Sequence, residues 1–440
     1  MNLRQDLETR WFLNQFTDEK LFDLYNAGGQ KFYIGFDPSA DSLQLGNMCG
    51  IMAAVNLMKY GNKCYFLVGG ATGMIWDPSG KDAERSFLTE EKLRSNEAKI
   101  TKQFETFLAR LHDEFGINFE YEMVNNYDFY KGMSFLDFLG QVGKYITVNY
   151  MSAKDSVKKR LVDPDKSISY TEFSYMLIQG YDFCKLYQDH GVNLQLGGSD
   201  QRWNVTTGIE ITRKKLNAEV FGLTIPLITD ASGKKFGKSE WNAIWLDPTK
   251  NSPYFVYQYF MNTTDQDVEK YLKVLTLMDF DRIDYIVKEH MKDPAARYWQ
   301  KQLAEQVVAV IFGWEAVHQA QKITDVLFGD FSVQWSDGSP AADQCSRMWV
   351  IKSMTPADVD ALAAEAGSAQ APAELKVLEL FTASGLTASN GEAKKLLQSG
   401  AIYVNEVKIE DTQKTFTADD FVNGILLLRK GKKSFKVIKK

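Results

Sequence analysis

Residues 31–36, Lys31-Phe32-Tyr33-Ile34-Gly35-Phe36, run directly into Asp37-Pro38-Ser39-Ala40-Asp41-Ser42. The first six read as a buried strand and the next six as a turn. Beyond them Met48, Ile51, Met52, Val55 and Met58 recur at helical spacing, and Gly61-Asn62 ends that helix. Cys64-Tyr65-Phe66-Leu67-Val68-Gly69-Gly70 reads as the next strand. Strand, helix and strand in this order make a right-handed crossover unit of a parallel sheet. Ligands of such sheets bind at the carboxyl ends of the strands, where the turns 35–39 and 69–80 fall.

Working outward, residues 88–112 look helical and charge-rich, and 129–160 are amphipathic and end in Lys158-Lys159-Arg160. A helix over about 172–188 precedes a strand at 194–196 and the turn Gly197-Gly198-Ser199-Asp200. Residues 253–325 are helical in pattern almost throughout, whereas 326–345 and 368–374 read as linkers. The expected fold is α/β: a Rossmann-like parallel-sheet domain with an insertion over 1–246, an α-helical domain over 247–326, a linker region over 327–374, and a small α+β domain over 375–440.

A chain of 440 residues is too long for one small core, which agrees with several domains. The charged Met1-Asn2-Leu3-Arg4-Gln5-Asp6 start lacks the apolar core of a signal peptide, and no apolar run is long enough for a membrane span. The expected compartment is the cytoplasm. Four cysteines without a CxxC pair, and only four histidines, predict neither a zinc site nor a disulfide framework. The net charge of -6 argues weakly against a nucleic-acid partner, but charge is local. Arg429, Lys430, Lys432, Lys433, Lys436, Lys439 and Lys440 form an end without acids, either a solubilising tail or a phosphate-binding surface.

Three stretches can carry chemistry. At Gln44-Leu45-Gly46-Asn47 a helix begins, so its free amides and the Gln44 and Asn47 side chains face the preceding turn; this suits a nucleotide, or is a simple cap. Gly233-Lys234-Lys235-Phe236-Gly237-Lys238-Ser239 has three residues between its glycines where a Walker A loop needs four. It is still a glycine loop whose lysines could clamp phosphates, or else a basic surface turn. Tyr175, Gln179 and Asp182 fall at i, i+4 and i+7 on one face of an apolar helix. Such a stripe needs partners, supplied by a bound amino acid or by an internal network.

Taken in order, Tyr33-Ile34-Gly35-Phe36-Asp37-Pro38-Ser39, Gly69-Gly70-Ala71-Thr72-Gly73, Asp77-Pro78-Ser79-Gly80, Thr171-Glu172-Phe173-Ser174-Tyr175, Gly198-Ser199-Asp200-Gln201 and Lys235-Phe236-Gly237-Lys238-Ser239 resemble the bacterial-type tyrosyl-tRNA synthetases, class I enzymes, over nearly the whole chain. The resemblance implies that ATP, with Mg²⁺, activates L-tyrosine and that tRNA(Tyr) receives it. Gln44-Leu45-Gly46-Asn47 takes the place of the HIGH signature and Lys235–Ser239 that of KMSKS. It further implies that Tyr33 and Asp182 hold the substrate phenol. Tyr175, Asp77 and Gln179 hold its ammonium group, with Thr72 and Gln201 nearby and Asp37 beside the activated amino acid. Ser39, Gln44, Asn47, Lys235, Lys238 and Ser239 serve the reaction. Gly35, Gly46, Gly198, Asp200, Lys235, Phe236 and Lys238 meet ATP. Residues 376–440 resemble an S4 RNA-binding domain, with Lys394, Lys395, Lys408, Lys430, Lys432 and Lys433 as RNA contacts. A homodimer interface near 129–160 is implied as well, and no structural metal.

Two departures stand out. Gln44 replaces the usual histidine and can donate but never carry charge. Trp11, Trp76, Trp203 and Trp241 stand where glycine is expected, and an indole at a positive φ is strained. Two readings stay open: a repurposed RNA-binding paralogue, or a source that reads UGA as glycine. UGG codons at all four positions would exclude the second.

Overall fold

The computed structural model describes all residues except 76–87, 155–156, 159–160, 162–167, 234–235, 238–242, 330–346, 372–374 and 432–433, and the side chains of 349 and 370. The chain forms two compact units, Met1–Ser252 with Gln258–Gly313, and Pro253–Tyr257 with Trp314–Lys440.

The first unit holds a six-stranded sheet. Its strands are β1 (Gln15–Phe16), β2 (Lys31–Phe36), β3 (Lys63–Val68), β4 (Tyr121–Asn125), β5 (Leu194–Gly198) and β6 (Phe221–Ile225), in the order β1-β6-β5-β2-β3-β4. All pairs are parallel except β1 with β6. β2 is flanked by β3 on one side and β5 on the other, so the winding reverses there. The crevice at such a reversal is the preferred ligand site of an open α/β sheet. β2 and β3 are apolar because both faces are covered: Phe32, Phe66, Cys64 and the helix Leu45–Met58 are buried.

The helices 265–312 belong to this first unit, whereas the sequence pattern suggests a separate helical domain. One tie is specific. The buried Arg10 guanidinium donates to the carbonyls of Lys273, Thr276 and Met278, which end the helix Asp265–Leu275. No periodicity predicts that partner.

The helix Leu3–Thr9 ends in a Schellman turn. Trp11 N–H donates to Glu8 and Phe12 N–H to Leu7. The residue between cap and Phe12 must be left-handed, and Trp11 has φ +62 while its indole is 52% exposed. A side chain there costs about 1–2 kcal/mol, and burial returns little of it. Trp11→Gly is therefore expected to stabilise the chain by about 1 kcal/mol in urea denaturation, net of the glycine's own entropy. An unchanged or lower midpoint would show that this turn is unstrained. Trp203 differs, because it lies in the helix Arg202–Leu216 and outside the positive-φ residues, so no strain arises there. Trp76 and Trp241 lie outside the described residues.

The second unit contains the five-stranded sheet β7 (Ser368–Gln370), β8 (Ile402–Val404), β9 (Val407–Lys408), β10 (Ile425–Lys430) and β11 (Ser434–Lys439), in the order β7-β11-β10-β8-β9. The helices Val377–Ala383 and Asn390–Gln398 cover one core, containing Leu380, Phe381, Leu397, Leu426 and Leu428. Part of the expected linker is regular structure. It includes the helices Arg347–Lys352 and Pro356–Ala366 and strand β7, which pairs with β11. Leu362 and Ile351 are fully buried against Leu427 and Val437. The described residues contain no helix long and apolar enough to cross a membrane.

Candidate functional site

The carboxyl ends of β2, β3, β4 and β5 each deliver a polar residue to one place. Asp37 follows β2, and its Oδ1 accepts Thr72 Oγ1–H at 2.6 Å while Oδ2 accepts the Tyr175 hydroxyl at 2.9 Å. Gly69, after β3, makes this possible: a Cβ there would lie 2.1 Å from Asp37 Oδ1 and 2.4 Å from Thr72 Oγ1. Asn126, after β4, is fully buried. It accepts the Ala71 N–H and donates to Thr72 Oγ1 at 3.1 Å and to Asp182 Oδ2 at 2.9 Å. Gln201, after β5, accepts Gln179 Nε2–H at 3.1 Å and Asn204 Nδ2–H at 2.9 Å.

The stripe on the helix Tyr170–His190 thus lies where its spacing places it, but each member meets a different partner. Asp182 is 1% exposed and bonded to Asn126 and Tyr130, so burial, chiefly, and the negative Asp37 push its pKa up to about 8. Tyr33 is buried on β2, and burial and the Asp182 charge push its hydroxyl well above the usual range. Tyr33 Oη, Gln179 Oε1 and Gln195 Oε1 are buried without a hydrogen-bond partner among the described residues. Tyr33 and Gln195 are register neighbours on one sheet face. Orphaned polar groups are costly unless a ligand meets them. Together the pocket has an amphoteric hydroxyl end at Tyr33 and Asp182 and an anionic end at Asp37. That pattern fits a cationic group at one end of a ligand and a hydroxyl at the other.

Beside this pocket the two glycine motifs meet, although about 190 residues separate them. Leu45 N–H donates to the Ile244 carbonyl at 2.8 Å, and Leu246 N–H to the Leu43 carbonyl at 2.9 Å. Gly237, at φ +79, packs so close that a Cβ would lie 2.8 Å from the Gly46 nitrogen. Gly46 is exposed at the start of the helix Leu45–Met58. Asn47 Oδ1 accepts the Gln44 N–H at 2.8 Å, which leaves the Asn47 amide hydrogens to donate. The turn before this helix is held from the helix Glu90–Phe115. There Asn96 donates to the Pro38 carbonyl and Gln103 Nε2 to Ser42, while Gln103 Oε1 accepts the Leu43 N–H.

Not all expected residues sit as foreseen. Phe236, expected at ATP, has its ring buried 4.7 Å from that of Tyr271, where it anchors the glycine loop from beneath. Gly35 and Ser39 are exposed at the crevice, and Ser39 N–H donates to the Asp37 carbonyl. A Cβ at Gly198 would lie 2.6 Å from Asp200 Oδ1, so the glycine gives that carboxylate room. Asp77, Lys235, Lys238 and Ser239 lie outside the described residues, as do Lys432 and Lys433. In the second unit Lys394, Lys395 and Lys408 are exposed. Lys430 instead donates to the Leu386 carbonyl and faces Glu392 at 3.5 Å. Asn126, Tyr130, Asn96 and Gln103 went unread in the sequence. The one signal for Asn126 and Tyr130 is the polar Asn125-Asn126 pair closing a strand too weakly patterned to recognise, whereas Asn96 and Gln103 are inside the charge-rich helix Glu90–Phe115.

Residues 26–329 match the family of class I tRNA synthetases for tryptophan and tyrosine. Residues 358–438 match the tyrosine–tRNA ligase SYY-like C-terminal domain. The tyrosine–tRNA ligase of Bacteroides thetaiotaomicron is 42% identical over 441 residues, covering 99% of both chains. That of Streptococcus uberis is 42% identical over 442 residues, covering both chains fully. Among solved structures, a C-terminally truncated mitochondrial tyrosyl-tRNA synthetase of Coccidioides posadasii superposes with a TM-score of 0.66 at 31% identity, covering 73% of this chain and 91% of its own. The corresponding protein of Aspergillus nidulans gives a TM-score of 0.68 at 28% identity, covering 74% and 94%. The chain belongs to the tyrosyl-tRNA synthetases of class I.

Proposed function

We propose that this chain is a tyrosine–tRNA ligase whose specificity comes from the buried pocket at the sheet reversal. The observation that carries the reading is the pair of Tyr33, a buried hydroxyl on β2 without a partner among the described residues, and Asp182, a buried carboxyl on the helix Tyr170–His190. Tyr33 donates to the substrate's phenol oxygen and the Asp182 carboxylate accepts a hydrogen bond from the substrate O–H. Asp37, Tyr175 and Gln179 receive the ammonium end, joined by Asp77, with Thr72 and Gln201 bracing them. Phenylalanine would leave both phenol-reading groups unpaired.

Adenylate formation needs no enzyme nucleophile. A carboxylate oxygen of tyrosine attacks the α-phosphorus of ATP, and the bond to the β-phosphate oxygen breaks, so that pyrophosphate leaves with the electron pair. The helix start at Gly46-Asn47, with Gln44 and Ser39, supplies uncharged donors to the phosphates. Lys235, Lys238 and Ser239 of the glycine loop supply charge and further donors to them, and the loop's Gly237 packs against Gly46. ATP arrives as its Mg²⁺ complex, so the ion is substrate-borne. Gly35, Gly198 and Asp200 border the nucleoside. A ribose hydroxyl of tRNA(Tyr) then attacks the adenylate carbonyl and AMP leaves.

Lys394, Lys395 and Lys408 offer the phosphate contacts of the second unit. The domains read as a catalytic sheet with its insertion, a helical segment and an S4-like tail. A homodimer is supported by the helix Phe135–Gln141, where Phe135 is 62% and Leu136 77% exposed. The cytoplasm, where tRNA is charged, is the matching compartment. The alternative, an RNA binder that keeps only the fold, is not favoured by full-length similarity to ligases.

Tyrosine-dependent ATP–pyrophosphate exchange tests the reading, with phenylalanine and tryptophan as controls. Exchange with tyrosine alone is expected. No exchange with any of the three would overturn the catalytic reading.

A further inference from the structure

The hydrogen bonds around Asp182 hold one proton fewer than they need if that carboxyl is ionised. Tyr130, closing the short helix Tyr127–Tyr130, places its hydroxyl 2.7 Å from the Ile178 carbonyl and 2.8 Å from Asp182 Oδ1. A phenol has one proton to donate. A carbonyl only accepts, and an ionised carboxylate only accepts. Both contacts are full hydrogen bonds together when Asp182 carries a proton on Oδ1, donates it to Tyr130 Oη, and Tyr130 donates onward to Ile178. Asn126 cannot make up the difference, because one amide N–H is held by Asp182 Oδ2 and the other by Thr72.

When Asp182 ionises, Tyr130 must turn its proton from the backbone to the carboxylate. The turn is cheap. Ile178 lies inside the helix Tyr170–His190, four residues before Asp182, so its carbonyl keeps a helical partner. The Tyr130 ring stays fixed edge-on against Tyr181, 5.7 Å between centroids, so only the hydroxyl rotates.

Resting on the tyrosine pocket proposed above, we propose that Tyr130 is a positioning residue that sets selectivity for tyrosine over phenylalanine through Asp182. In the empty pocket its proton lies on the Ile178 carbonyl. When a substrate phenol enters, Asp182 gives its proton to water, Tyr130 turns to donate to Oδ1, and Oδ2 with Asn126 accepts the substrate O–H. Tyr33 donates to the phenol oxygen. No covalent bond other than that to the released proton changes. With phenylalanine there is no hydroxyl to stabilise the anion, so the carboxyl keeps its proton and the pocket stays in its empty arrangement.

The groups facing Asp182 are Asn126 from the residue after β4, Tyr130 from the short helix, Tyr33 from β2, Tyr181 beside it on its own helix, and Asp37 from the turn after β2. Burial and Asp37 oppose ionisation, and the bonds from Asn126 and Tyr130 favour it. Removing the Tyr130 hydroxyl therefore makes the anion harder to form.

The test is kcat/KM for tyrosine and phenylalanine in pyrophosphate exchange across neutral and alkaline pH, for the full chain, Tyr130→Phe, Asp182→Asn and the double variant. Tyr130→Phe is expected to raise KM for tyrosine about tenfold and lower the tyrosine-to-phenylalanine ratio by a similar factor. It should leave kcat within about twofold and move the rising limb of kcat/KM to higher pH. In the Asp182→Asn background it should no longer affect the pH profile. A hydroxyl with only a structural role would leave limb and ratio in place, and that result overturns the proposal. If Asp182→Asn leaves the ratio unchanged, the pocket reading fails and this proposal with it. If Asp182→Asn lowers the ratio and Tyr130→Phe does not, only Tyr130 falls. A second measurement needs no variant. Calorimetry of tyrosine binding in buffers of different ionisation enthalpy should show about one proton released near neutral pH, and phenylalanine none. No release with tyrosine would also overturn the proposal.

Discussion

Asp182→Asn is expected to give a chain that is more stable than its parent and much poorer at recognising tyrosine. In the folded chain burial pushes the Asp182 carboxyl up to about 8, against an ordinary 3.8. Between those values the unfolded chain ionises and the folded chain does not, so the folded state binds more protons. The stabilisation from this group is complete below about pH 4, falls as pH rises, and is gone once the folded group ionises near pH 8. Asparagine has nothing to ionise, yet it reproduces the neutral acid's hydrogen bonds. Its oxygen accepts from Asn126, its N–H donates to Tyr130, and Tyr130 donates to Ile178. The variant should match its parent near pH 4 and exceed it by on the order of 5 kcal/mol at pH 8, read by urea denaturation at both. Its kcat/KM for tyrosine should drop about a hundredfold, the worth of a charged acceptor, while the phenylalanine value changes little. Equal stability of the two chains at pH 8 would mean that Asp182 is not a buried acid.

Gly237→Ala is expected to damage the nucleotide half of the site and spare the tyrosine half. The backbone at φ +79 charges any side chain about 1–2 kcal/mol. The added methyl would also lie 2.8 Å from the Gly46 nitrogen and 3.2 Å from Leu45 Cβ. The first of these is main chain and cannot rotate away, so the loop must lift off the helix start. A displacement of this kind should cost about a hundredfold in kcat/KM for ATP. Tyrosine binding by equilibrium dialysis should be unchanged, because Tyr33 and Asp182 lie on other elements. Gly233→Ala is the matched control: it has φ +82 but no described residue within 4 Å of the added methyl. If both variants behave alike, the close approach to Gly46 has no part in catalysis.

Much of the sheet was legible, because both faces of its inner strands are covered and their composition says so. The strand read at 31–36 is β2 itself, and the helix read at about 172–188 runs Tyr170–His190. The strand read at 64–70 stops at Val68, and Gly69 and Gly70 open the turn where a Cβ would collide with Asp37 and Asn125. The polar stripe was legible as a stripe, because period alone places Tyr175, Gln179 and Asp182 together. Its partners were not. Asn126 and Tyr130 lie more than 50 residues from Asp182, on or beside an edge strand of half-buried residues that alternate weakly. The helix Pro356–Ala366 carried a readable start, Thr355 capping it with Asp358 at the third position, inside a stretch otherwise read as linker.

The join between the two glycine motifs consists of amides and carbonyls: Leu45 with Ile244, and Leu43 with Leu246. A fastening of that sort is blind to what hangs from the chain. It keeps the two loops in register whether position 44 bears an imidazole or an amide. A lineage can therefore drift at 44, trading histidine for glutamine and tuning the phosphate contact, without loosening the frame that brings ATP to the amino acid.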